Sequence, residues 1–362
     1  MDWRLMRRMA ISAAIVVALT GGDVIVARAQ NGGVLRFGTY GGTMLEGQKI
    51  YLGEPFEALT GAKIQWTAAT EEVFANKLIA AGKSPAYDVV LLDDPWYSLV
   101  RVRGLASKLD PAKVPNLNKV QKLFRLPEDM GSCLFSFSSG IVYNKNKFAE
   151  LGLPPPTRWQ DLASPKLSGH VGTQTLAATP VKYFLAAYAI QLGDTPTKWD
   201  RAIDEVAKIK FQSFSAGIAD LMAKIEAGDV WAAPIVGSRA YALIEKGLPV
   251  EYVLPENGNG TKGGISCTPI VVPKGSTNAA LGEKMLNFAL SPDAQLMQAT
   301  AISAYGPVIS TLDPILEKAP KIADRIPWGK VVTNGFRLSW DSEADLDRFS
   351  EYVEAWNRKV QK

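Results

Sequence analysis

The chain has 362 residues, with 40 Lys and Arg against 36 Asp and Glu, one histidine and two cysteines. The formal net charge is +4, and basic and acidic residues are interleaved, which excludes the basic patch of a nucleic-acid-binding domain. With His170 as the sole histidine, His-ligated metal sites are excluded, and a Ser-His-Asp triad would depend on one residue.

The N-terminus reads as an export signal. Arg4, Arg7 and Arg8 form a basic region, Met9 to Leu19 an apolar run too short to span a bilayer, and Ala27-Arg28-Ala29 a small-x-small cleavage pattern. Cleavage is expected after Ala29, with the mature chain beginning at Gln30. The signal holds four Arg and two Asp, so +4 less +2 leaves the mature chain near +2. Arg7-Arg8 also matches a twin-arginine start, but an ordinary basic region looks the same, and the general export route is expected. No cysteine lies near the cleavage site to carry a lipid. No other segment is long and apolar enough to be transmembrane.

From Gln30 the chain alternates strand and helix. Strands are expected at 34–39, 62–67 and 87–92, with helices at 44–59, 71–81 and 95–102. The run Val89-Val90-Leu91-Leu92 is apolar without alternation, as in a parallel strand buried on both faces. Ile141-Val142-Tyr143 is a short strand followed by a helix ending near Gly152 and a brake at Pro154-Pro155-Pro156. Beyond it, strands are expected at 171–175, 230–236, 251–254 and 265–272. Helices are expected at 180–192, 198–208, 216–227, 238–246, 279–290, 292–300, 317–322 and 344–359. This order predicts an α/β fold, and the length predicts two lobes rather than one typical domain.

In open α/β sheets ligands sit beyond the carboxyl ends of the strands, and those ends supply the candidate residues. After the first strand come Tyr40, Gly41 and Gly42, where glycine permits close backbone approach or positive φ. Thr43 and Glu46 have capping-box spacing, and Glu46 is read as a cap partner. After the third strand come Asp93-Asp94-Pro95-Trp96. One carboxylate there would accept charge-assisted hydrogen bonds from an ammonium group while the other caps the helix opened by Pro95. Trp96 would offer an aromatic face to the cation or pack in the core. Later strand ends add Thr175 and Arg239, the latter suited to a carboxylate or phosphate, or else to a salt bridge. Tyr305, in the turn Tyr305-Gly306-Pro307, completes the set.

Catalytic signatures are missing. No G-x-x-x-x-G-K-[ST] loop occurs, no dinucleotide fingerprint follows a strand, and adjacent carboxylates on an extended chain point apart rather than flank a bond. His170 is read as structural. A ferric site would need two neighbouring tyrosines, and Tyr305 stands alone.

Several segments together carry a resemblance. They are GTYGG at 38–42, Asp88-Val89-Val90, Tyr143-Asn144, Trp159-Gln160-Asp161-Leu162, Gly228-Asp229-Val230 running to Gly237-Ser238-Arg239, Leu254-Pro255-Glu256-Asn257-Gly258 and Tyr305-Gly306-Pro307. In this order the chain resembles family 1 extracellular solute-binding proteins of ABC importers, specifically the spermidine/putrescine-type group. The resemblance implies the two-lobe periplasmic-binding-protein fold of type II, each lobe a sheet flanked by helices. It implies lobe 1 from 30–139 plus 268–310 and lobe 2 from 140–267 plus 311–362. It further implies a monomer that is no enzyme, has no cofactor or metal, and does not bind nucleic acid. Such a protein captures a small-molecule ligand in the periplasm by lobe closure and delivers it to an inner-membrane ABC permease.

A polyamine is the first ligand expected; an ω-amino acid, aminophosphonate or other organic anion is the alternative. Two features depart from the polyamine pattern: Ser266-Cys267-Thr268 replaces an aromatic and an acid in the returning crossing strand, and Val236 replaces a Trp. Arg239 would repel a pure polycation. Cys133 and Cys267, near the two hinge crossings, are expected either to form a disulfide or to remain two buried thiols.

Overall fold

A computed structural model describes residues 32–301, 305–319, 326–340 and 342–361. The signal expected over 1–29 lies outside the described residues. The strands are β1 (Val34–Thr39), β2 (Lys63–Ala68), β3 (Val89–Leu91), β4 (Ser132–Asn144), β5 (Val171–Gln174), β6 (Phe211–Ser215), β7 (Ala232–Val236), β8 (Val250–Val253) and β9 (Gly264–Val271). They pair in the order β2-β1-β3-β9-β4-β7-β5-β6, with β8 also on β4.

β4 explains how one sheet serves two lobes. Its first half pairs antiparallel with β9 (Ser132↔Ile270 to Ser139↔Gly264), and its second half runs between β7 and β8. The strand is buried over twelve of its thirteen residues. Only its last apolar stretch was expected, because Ser136, Ser138, Ser139 and Gly140 look like a turn in sequence. Here small polar side chains serve close packing instead: a Cβ on Gly140 would overlap the Val253 carbonyl and the Tyr252 ring. β6, an edge strand, was likewise not expected.

The first lobe's helices follow its strands closely. The stretch expected at 44–59 is helical from Thr43 to Thr60, with a π-helical centre at Lys49–Gly53, and ends at Gly61 in the left-handed region (φ 70°). The helix at Glu71–Ala81 begins with Thr70 as its side-chain cap.

Two principal cores result. Phe37, Tyr51, Phe56, Leu91, Leu134, Ile270 and Leu286 belong to the first; Trp159, Val171, Phe184, Trp199, Trp340 and Trp356 belong to the second. A smaller cluster around Leu221, Val230, Ile235 and Leu243 covers the other face of the second lobe's sheet. This two-sided burial accounts for the unbroken apolar runs.

The chain returns to the second core later than expected. Leu312, Leu316, Ile326 and Val332 pack in the first core, while Leu338 and Trp340 are in the second. The segment 311–332, expected with lobe 2, therefore packs on lobe 1 where it is described, and so does Ile265. The helix expected at 317–322 is a turn over 317–319 after a short helix at Asp313–Leu316; its remainder lies outside the described residues. The C-terminal helix Glu343–Lys359 buries Tyr352 and Trp356 in the second core.

Cys133 and Cys267 form a disulfide between β4 and β9, with Cα atoms 5.6 Å apart. No helix among the described residues is long and apolar enough to cross a membrane.

Candidate functional site

Strand ends from both lobes converge on a cleft of about 960 Å³. From the first lobe come Tyr40, Gly41, Met44, Glu71, Asp93, Phe135 and Tyr305; from the second come Gln174, Thr179, Ile218, Ser238 and Arg239.

The first-lobe wall is acidic and aromatic. Asp93 follows β3, whose register is held by the Leu92 amide donating to the Pro269 carbonyl at 3.0 Å. The Thr268 hydroxyl donates to Asp93 Oδ1 at 2.9 Å. Burial, and then the nearby Glu71 carboxylate, push the Asp93 carboxyl up to about 7, against the opposing pull of Lys182 and Thr268. Glu71 is the first residue of its helix.

Tyr305 is set in place by a backbone bridge. The Ser136 amide donates to the Gly306 carbonyl at 2.8 Å, and the Gly306 amide returns a bond to the Ser136 carbonyl at 2.7 Å. A side chain on Gly306 would collide with Ser136 and Pro327. The Tyr305 ring accordingly lies 4.5 Å from Phe135 and 6.4 Å from Phe137. Burial of the Tyr40 hydroxyl, followed by the charges of Asp93 and Glu71, pushes its pKa well up. Carboxylates beside aromatic faces make a seat for an ammonium group.

The second-lobe wall has the opposite sign. Arg239 sits in the first turn of the helix Gly237–Glu245, and no carboxylate among the described residues lies within ion-pair distance of it. The helices Thr179–Gln191 and Gly237–Glu245 present N-termini with no acidic residue in the first turn. Such termini carry partial positive charge. A guanidinium beside such a terminus suits a carboxylate.

Behind the acidic wall lies a smaller cavity bordered by Asp93, Asp94, Lys182, Ser266, Arg337 and Trp340. Asp94 turns into it. Its Oδ1 accepts from the Ser98 hydroxyl at 2.6 Å, and Arg337 Nη2 lies 3.6 Å from its Oδ2. Asp94 precedes a cis peptide to Pro95, and Pro95 rather than Asp94 stands at the helix N-cap. Lys182, buried, donates to the Asp94 carbonyl at 2.6 Å.

Of the residues expected at the site, Tyr40, Gly41, Asp93, Arg239 and Tyr305 line the cleft. Four do not. Asp94 faces the rear cavity. Trp96 packs against the first core, because the helix after Pro95 turns its ring inward. Thr175 is held in a turn, donating its amide to Ser215 and accepting from the Ala178 amide. Gly42 is exposed with φ 66°, a turn residue beside the cleft. Glu71, Phe135, Phe137, Lys182 and Arg337 were not anticipated. Glu71 was within reach of the strand-end rule, since it lies just beyond β2; Phe135 and Phe137 were hidden with the rest of β4. Among the described residues, no group of three or more His, Cys, Asp or Glu is placed to hold a metal.

A family model described as bacterial extracellular solute-binding protein matches residues 52–324. The chain is 25% identical over 342 residues to the gamma-aminobutyric acid-binding protein of Pseudomonas aeruginosa, covering 91% of each. It is 21% identical to the spermidine/putrescine-binding periplasmic protein of Escherichia coli, covering 85% of this chain and 86% of that one. Among solved structures, an ABC transporter protein from Clostridium perfringens superposes with a TM-score of 0.75 at 20% identity, over 90% of this chain and 99% of the other.

Proposed function

The chain belongs to the bacterial extracellular solute-binding protein family, and from that premise we propose that it captures a small zwitterion carrying an ammonium and a carboxylate group, of the ω-amino acid kind. The captured solute passes to an ABC permease in the inner membrane. The protein is exported by the signal at 1–29 and works in the periplasm as a monomer.

One observation carries the reading: the two walls of the cleft have opposite charge. Glu71 and Asp93, with Tyr40, Phe135 and Tyr305, would hold the ammonium end; Arg239 and the acid-free helix N-termini would hold the carboxylate. Closure of the lobes about β4 and β9 would exclude water and strengthen both contacts. A relative that binds gamma-aminobutyric acid fits this chemistry.

A polyamine is the second reading, favoured by the carboxylates and rings of the first wall and by the polyamine-binding relatives. Arg239 separates the two. Calorimetry with 4-aminobutyrate, putrescine and spermidine is the test. Binding of 4-aminobutyrate in preference to both amines is expected, with Arg239→Ala and Asp93→Ala each weakening it by about 2 kcal/mol or more, the range for a charge-assisted hydrogen bond. Tight putrescine binding unaffected by Arg239→Ala would replace this reading with the second.

A further inference from the structure

We propose that Lys182, which does not line the cleft, is a specificity-determining residue: it sets the net charge of the solute the cleft accepts. This rests on the zwitterion reading and names a residue that enforces it. Lys182 lies in the first turn of the helix Thr179–Gln191, one turn behind the cleft-lining Thr179. It is 5% exposed. Its ammonium is held by the Asp94 carbonyl at 2.6 Å and sits over the rings of Trp340 and Phe349, at 6.0 and 5.6 Å from their centroids. The rear cavity it borders shares Asp93, Phe137 and Thr179 with the cleft, so only one layer of side chains separates the Lys182 ammonium from the solute. Burial lowers its pKa, and the carboxylates of Asp93, Glu71 and Asp94 pull against that shift.

With Asp93 ionised, as it is above about pH 7, the charges around the two cavities balance. Glu71, Asp93 and Asp94 supply the acids; Arg239, Lys182 and Arg337 supply the bases. Glu46, also on the cleft wall, is matched by Lys49 at 3.0 Å. A site that is neutral before binding is still neutral after taking a zwitterion. A diamine would leave two positive charges in a poorly solvated space, where their repulsion from Lys182 is weakly screened. Lys182 thus offsets one first-wall carboxylate, so that the aromatic and acidic wall serves a single ammonium group.

The test has two arms. On the unmodified protein, calorimetry at pH 8.5 compares 4-aminobutyrate, its amide and putrescine, a series of net charge zero, one and two. Affinity is expected to fall at each added charge. On Lys182→Met, putrescine affinity is expected to rise at least tenfold while 4-aminobutyrate changes less than about threefold. Arg337→Met should act in the same direction and Lys182→Arg should restore the original preference. Folded Lys182→Met and Arg337→Met proteins with unchanged ligand ratios would overturn the proposal and leave the zwitterion reading standing. If the methionine variants do not fold, the charge series on the unmodified protein keeps the proposal open to refutation: equal affinity across it overturns the proposal together with the zwitterion reading on which it rests. Preference of the unmodified protein for putrescine overturns both the zwitterion reading and the role of Lys182.

Discussion

Asp93 shows how position can turn an ordinary carboxylate into a conditional one. Burial and the Glu71 charge disfavour its ionised form and push its pKa up to about 7, while Lys182 and Thr268 pull the other way. For an acid with a raised folded pKa, the proton is held more tightly in the folded, empty protein than in the unfolded chain. The stability linked to that proton is therefore full below the unfolded pKa and is lost as pH rises through about 7. Ammonium binding runs the opposite way, because it needs the carboxylate. Affinity for an amine-bearing solute should thus fall as pH drops below about 7, by up to about tenfold per unit, and level off above it. Titration calorimetry in buffers of different ionisation enthalpy should detect proton release on binding near neutral pH, and Asp93→Asn should remove the pH dependence. A profile in the unmodified protein that is flat between pH 5 and 8 would show that Asp93 does not meet the ammonium.

At the scale of elements, one ion pair ties the first lobe's strands together. Asp88, fully buried just before β3, accepts from the Arg36 backbone amide at 2.9 Å and from its guanidinium at 2.6 and 3.0 Å. Ser276 and Asn278, in the loop after β9, donate to the same carboxylate. Burial alone would raise the pKa of Asp88, but these donors outweigh it and hold the carboxyl down at about 2. Its contribution to stability is accordingly present above the unfolded pKa and is lost only as pH falls through about 2. Removing the Asp88 carboxylate strands its buried donors at a cost of about 1–3 kcal/mol, since the Arg36 side chain is 30% exposed and stays partly solvated. Asp88→Ala should lower the denaturant midpoint by a corresponding amount while leaving the cleft residues in place. A shift under about 1 kcal/mol would mean that the Arg36 contact contributes little.

For the molecule as a whole, β4 and β9 are the mechanical link, and the disulfide clamps the half of that link lying in the first lobe. The bridge joins residues 134 positions apart. Closing so long a loop in the unfolded chain is expected to stabilise the fold by about 2–4 kcal/mol. The double variant Cys133→Ser/Cys267→Ser should melt at lower temperature with its ligand preference unchanged, because neither sulfur borders the main cleft. An equal melting temperature with and without the bridge would place its role outside folding stability.

Much of this architecture was legible in the chain itself. Continuous apolar strands such as Val89 to Leu91 and the regular βα alternation are local signals set by burial and backbone periodicity, so they specify the fold class and, through strand ends, Tyr40, Asp93 and Arg239, while Tyr305 was read from its turn. The Ser-rich half of β4 was not legible, since its pattern reflects close packing against β7, β8 and β9 rather than a hydrophobic period. Nor could the sequence tell Asp93 from Asp94: adjacent carboxylates look alike until the turn at Pro95 sends one to the cleft and the other toward Arg337. Lys182 and Arg337 are 155 residues apart, and only tertiary packing brings them to one cavity. Which charges face one another is decided by long-range packing, and that in turn decides what the cleft can hold.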